Sequence, residues 1–159
     1  MNTKASPASA HAAKRLARLA AVQALYQNNY EQQPLKQIIS DSINENFAAL
    51  HDDLGEAKIP DALDTELFSA IVNGVTQKLV ALDEMIAGSL DARFSVARLE
   101  ILLRTILRAG AYELHYHAQI PVGIIINDYV DVARAFFNGK EPGLVNGMLD
   151  KLAGVLRAA

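Results

Sequence analysis

The sequence contains no cysteine. That absence removes disulfides, thiolate zinc sites and cysteine nucleophiles together. Tryptophan is also missing, and aromatic residues make up only 6% of the chain. No apolar run reaches the roughly 20 residues needed to cross a bilayer. The opening stretch MNTKASPASAHAAKR has no contiguous apolar core before a cleavage site, so it does not read as a secretory signal. A cytoplasmic location is the natural expectation. The nine glycines form neither G-x-x-x-x-G-K-[ST] nor G-x-G-x-x-G, so no phosphate cradle is legible. Acid pairs such as Asp52-Asp53 and Asp83-Glu84 are adjacent in sequence, whereas acid–base catalysis needs two carboxyls in contrasting surroundings. His115 and His117 are two apart and diverge on a helix. They share a metal only if the helix ends between them, and exposed imidazoles at a frayed end are the plainer reading. No enzyme, no cofactor and no metal site is expected.

What is present is ordinary for one folded domain. Hydrophobic residues make up 51% and charged residues 21% of 159 residues, enough chain to bury a core. The net charge of −3 is unevenly spread. Residues 1–30 carry four basic groups and no acid; residues 31–91 carry three bases and twelve acids. Residues 92–159 carry eight bases and six acids. Either two surfaces serve two partners, or the charges solvate helix faces.

Glycine and proline punctuation divides the chain into helices. The expected segments are about 11–30, 35–50, a start at Asp61 or Asp64 running to Gly88, then 96–117, 122–137, and a last helix from Pro142 to Leu156. The stripe Phe68, Ile71, Val72, Val75, Leu79, Leu82, Ile86 steps by three and four, as one long helix or two joined ones do. Glu100 and Arg104 stand in the favourable i,i+4 order. Ile124-Ile125-Ile126 is too short and isolated to build a sheet. The fold expected is an all-α compact bundle of six to seven helices. Residues 1–10 are expected as a flexible tail and 11–159 as a single helical domain.

The first helix carries the most specific functional pattern. At about 100° per residue, Arg15, Arg18 and Tyr26 fall within one face that also includes Val22, with Lys14 near its edge. Cations that meet phosphates beside a ring that stacks on a base suit single-stranded RNA. The other reading puts Tyr26 in the core beside a basic helix end. Arg134 beside Phe136 and Phe137 offers a second cation-plus-ring pair, or two rings packed where a helix terminates. Gly143 and Gly147 flank Asn146 inside the last helix, which suggests another backbone approaching closely and Asn146 bonding to a loop.

Four ordered stretches carry a resemblance: KRLARLAAVQALYQ at 14–27, LLRTILRAGAYEL at 102–114, IPVGIIINDYVDVARAFF at 120–137 and VNGMLDKLA at 145–153. Together they resemble the NusB family of transcription antitermination factors. The resemblance implies two packed helical subdomains and a role in antitermination of ribosomal RNA operons. It implies a heterodimer with NusE, a small-subunit ribosomal protein, that binds boxA RNA and joins a complex on RNA polymerase. It makes Lys14, Arg15, Arg18 and Tyr26 RNA contacts, with Arg134 and Phe136 as a further pair. It puts the NusE surface on the 98–108 helix and the loop entering the last helix, at Arg98, Arg104, Lys140, Glu141 and Leu144. Lys140, Leu144 and Leu103 depart from residue types frequent in the family at those places. Some relatives self-associate through the RNA-binding face, so a homodimer is a further assembly the resemblance implies. A similar helical domain occurs in certain RNA cytosine methyltransferases, but no methyltransferase domain is expected here. The alternative is a helical protein–protein adaptor without specific RNA binding.

Overall fold

A computed structural model describes residues 7–31, 63–90 and 99–157, and the side chains of 7–9 and 28–31 are left aside. The expected 35–50 helix and Arg98 lie outside the described residues. Among the described residues there are six helices and no strand: α1 (Pro7–Glu31), α2 (Thr65–Gln77), α3 (Leu79–Ser89), α4 (Ile101–Tyr116), α5 (Val122–Phe136) and α6 (Glu141–Leu156). The three consecutive isoleucines are helical, with Ile125 and Ile126 buried and Ile124 exposed. No described helix is long and apolar enough to cross a membrane.

The chain forms two compact units, residues 1–72 and 73–159. In the first, α1 begins at Pro7, so residues 7–10 are helical where a tail was expected. Proline suits a first helical position because its missing N–H is an orphan there anyway and its φ is already helical. The middle of α1 buries Ala17, Ala20, Ala21, Val22, Ala24 and Leu25, most of its circumference rather than one stripe. Of the two expected caps, Asp64 is the one described: its Oδ1 accepts from Leu67 N at 2.9 Å, satisfying one orphan donor of α2.

In the second unit, α4 is central and packs against α3, α5 and α6, while α6 also packs against α3 and α5. Leu99, just before α4, and Leu103, Ile106, Leu107 and Leu114 along it are buried, while Leu102 is half-buried. The α2–α3 stripe is buried at every expected position except Leu79, which is 38% exposed. The cause is a break at Lys78, whose backbone leaves the helical region (φ −110°, ψ 21°) and turns Leu79 off the face it would hold in one straight helix. Glu100 caps α4 by accepting from Leu103 N at 3.2 Å.

The close approaches fall at Gly74 and Gly110 and not where the last helix's glycines suggested. A Cβ at Gly110 would stand 2.8 Å from the Leu149 methyls, whereas Gly143 and Gly147 have open space around them. A Cβ at Gly74 would stand 2.1 Å from Tyr112 Cζ. Gly74→Ala therefore forces the tyrosine ring aside, and we expect a loss of about 1–3 kcal/mol from overpacking, read by urea denaturation.

Ionic groups inside the second unit are tightly partnered. Arg108 meets Asp83 through two bonds, Nε to Oδ1 at 2.7 Å and Nη2 to Oδ2 at 2.8 Å. This fork joins α4 to α3 in the bidentate geometry that favours arginine. Glu113 is fully buried. The Tyr129 hydroxyl donates to its Oε2 at 2.6 Å, and His117 Nδ1 lies 3.1 Å from its Oε1. Arg157, at the end of α6, donates Nε to Leu114 O at 2.8 Å, Nη2 to His117 O at 2.8 Å and Nη1 to Ile120 O. These carbonyls close α4 and the turn after it, where the helix leaves acceptors unsatisfied and favours a cation.

Candidate nucleic-acid and partner interface

The basic end of α1 divides at its third cation, Arg18. Lys14 and Arg15 are exposed and Tyr26 is half-buried. Arg18 and Val22 are both fully buried. The expectation that Arg18 shares an open face with Arg15 therefore does not hold. The face through Arg18 and Val22 points inward, because the alanines around it let α1 bury nearly all of its middle. Arg18 already has a partner within the protein, as a buried guanidinium must. Alanine-rich sequence hides this outcome, since it carries no stripe from which an inward side could be read.

In the second unit, Arg134 and Phe136 stand in the last turn of α5. Arg134 is exposed and its Nη1 donates to Asp131 Oδ1 at 2.9 Å. Phe136 is 37% exposed, while Phe137 leaves the helix in extended conformation (φ −128°, ψ 142°) and is half-buried. The helix end thus separates the two rings, and Phe136 is exposed on a side of the helix about 200° around from Arg134, so the two do not form a cation-plus-ring pair.

At Arg134, α5 and the first turns of α6 enclose a solvent-open depression of about 350 Å³ lined by Asn127, Val130, Asp131, Arg134, Pro142 and Asn146. Asn127 and Asn146 are exposed. Among the described residues neither side-chain amide has a partner, and the expected bond from Asn146 to a loop is not found there. Of the lining residues, the sequence marks Arg134 as a binding residue and Gly143 and Asn146 only for packing. The helical spacing of Asn127, Asp131 and Arg134, at i, i+4 and i+7, was the signal that could have grouped them.

The positions expected to meet a protein partner sit on two packed elements. Arg104 is half-buried and its Nη2 donates to Leu99 O at 2.9 Å. Lys140 is exposed immediately before α6, and Glu141 and Leu144 are half-buried in its first turn. Glu141 is an acid at a helix N-terminus, where the dipole favours it.

The end of α4 carries an aromatic cluster. Tyr112 and Tyr116 lie 5.2 Å apart, His115 meets Tyr116 edge-on at 4.5 Å, and Lys78 Nζ stands 5.8 Å from the Tyr116 centroid. Burial pushes the Tyr112 phenol above the ordinary 10.0, with the Glu113 carboxylate and Tyr116 adding to the rise. His117 is spent on Glu113 and His115 on Tyr116. Among the described residues no group of three histidine, aspartate or glutamate side chains could hold a metal.

Comparison with known proteins places this geometry. Residues 15–154 match the model of the NusB family. The chain is 40% identical over 157 residues to the transcription antitermination protein NusB of Sphingopyxis alaskensis, covering 99% of both chains. It superposes on T. maritima NusB with a TM-score of 0.72 and 26% identity, covering 88% of this chain and 89% of that one. It superposes with a TM-score of 0.73 and 21% identity on a chain from a crystal structure of the antitermination factors NusB and NusE with double-stranded RNA, over 91% of this chain and 98% of that one.

Proposed function

Because this chain belongs to the NusB family, we propose that it is an RNA-binding transcription antitermination factor, a cytoplasmic binding protein rather than an enzyme. It acts with NusE on boxA RNA during transcription of ribosomal RNA operons, within the antitermination complex on RNA polymerase. The observation that carries this reading is the family match across almost the whole chain, together with relatives named for antitermination. A similarly folded chain was crystallised with NusE and RNA, which supports the choice of partners.

The RNA face is assigned to Lys14, Arg15 and Tyr26 on the first unit and to Arg134 and Phe136 on the second. Arg18 is left out, since a fully buried guanidinium does not reach a phosphate. The NusE face is assigned to Arg98, Arg104, Lys140, Glu141 and Leu144. RNA alone binds weakly on this reading, because α1 offers few cations to the phosphates.

The exposed and buried cations of α1 separate by experiment. Lys14→Ala with Arg15→Ala leaves the melting temperature in place and weakens boxA binding. Its salt slope becomes shallower by about 1.4, at roughly 0.7 for each single-strand phosphate no longer neutralised. Arg18→Ala instead lowers the melting temperature. Salt-dependent fluorescence anisotropy and thermal melts read both. Unchanged affinity and slope in a folded double variant would remove α1 from the RNA face.

A further inference from the structure

The depression between α5 and α6 has a composition that a phosphate does not explain. Its one cation, Arg134, is already bonded to Asp131 at 2.9 Å. An anion entering here would meet the Asp131 carboxylate along with the guanidinium. The polar groups left over are the side-chain amides of Asn127 and Asn146, one from each wall, both exposed on the depression's lining. Each carboxamide presents a donor and an acceptor side by side. That pairing complements the edge of a nucleobase, as carboxamides that read adenine do. Val130 lies buried beneath the depression and Pro142 is half-buried at its wall, so the exposed lining is mainly polar and favours a ligand held by hydrogen bonds. The volume of about 350 Å³ lies at the small end of ligand pockets, about 300–1,000 Å³, and admits one base but no folded element.

We infer that this depression is a base-reading pocket: it takes one unpaired nucleobase of the bound RNA, whose edge hydrogen-bonds to Asn127 and Asn146. The inference rests on the RNA reading above and adds to it a place where sequence, as opposed to backbone charge, is sensed. Splayed single-stranded bases are the elements of RNA that proteins read by their edges. Asp131 then has two roles: it bonds the Arg134 guanidinium at the rim and disfavours a bare phosphate.

The test uses the full chain with NusE and labelled single-stranded boxA RNA, with a set of the same RNA carrying an abasic residue at each position in turn. Asn127→Ala and Asn146→Ala are the variants. Both sites are exposed helical positions where alanine favours the helix, and thermal melts verify the fold. Each variant is expected to weaken boxA binding by about 5- to 150-fold, the discrimination typical of a good base pairing with a side chain. One abasic position should weaken the wild type but cost the variants nothing further, because pocket and base are two halves of the same interaction. Variants that bind as tightly as wild type, while Lys14→Ala with Arg15→Ala binds more weakly, overturn the pocket and leave the RNA reading standing. Variants weakened equally toward every abasic RNA overturn base reading in favour of binding to the RNA backbone. No boxA binding by the wild type overturns the RNA reading and the pocket together.

Discussion

Glu113→Ala lowers the melting temperature by about 6–20 °C and the unfolding free energy by about 3–5 kcal/mol, the cost of removing one partner from a buried charged network. Three losses combine. The Tyr129 hydroxyl loses its acceptor at 2.6 Å, His117 loses its carboxylate, and a cavity opens where no side-chain surface was exposed. A buried hydroxyl without a partner costs about 1–3 kcal/mol by itself. Glu113→Gln keeps the shape and an acceptor for Tyr129, so it should fall well short of the alanine effect. Equal losses in both variants, measured by calorimetry, would mean that the charge and not the network sets the cost. An unchanged melting temperature in the alanine variant would remove the network from the account of stability.

Arg157→Ala is the second large effect, expected at about 2–4 kcal/mol from several charge-assisted hydrogen bonds to carbonyls. The guanidinium joins the end of α6 to Leu114, His117 and Ile120, so its removal uncaps α4 and releases the turn leading to α5. Amide hydrogen exchange should locate the change: protection falls in the last turn of α4 and the first of α5, and holds in the middle of α4. Arg157→Lys restores only part, because an ammonium cannot present the planar fork that meets separate carbonyls at once. A uniform loss of protection across the unit would contradict a local cap.

The helices were legible in the sequence wherever one face is apolar and the ends carry punctuation. The stripe from Phe68 to Ile86 and the helix ends near Phe137 and Leu156 follow from spacing and punctuation, while spacing left the start of that stripe open between Asp61 and Asp64. Three features were not legible, each for a physical reason. The break at Lys78 carries no glycine or proline, and only the exposure of Leu79 reveals it. The inward turn of Arg18 is hidden in an alanine-rich helix, where charge is the natural guide to the outside face. The roles of Gly74 and Gly110 depend on what stands opposite them, Tyr112 and Leu149, which are distant in sequence. The family resemblance located Arg134, but the amides that line the depression with it belong to two helices brought together only by folding.

The central claim is that this chain acts with NusE on boxA RNA. Fluorescence anisotropy of labelled boxA RNA, titrated with the protein in the presence and absence of NusE and against a scrambled RNA of equal length, tests it most directly. The account predicts weak binding by the protein alone, tighter binding with NusE, and clear preference for boxA over the scrambled strand. Equal binding to both strands with no effect of NusE would contradict it and favour a helical adaptor that binds protein and not specific RNA.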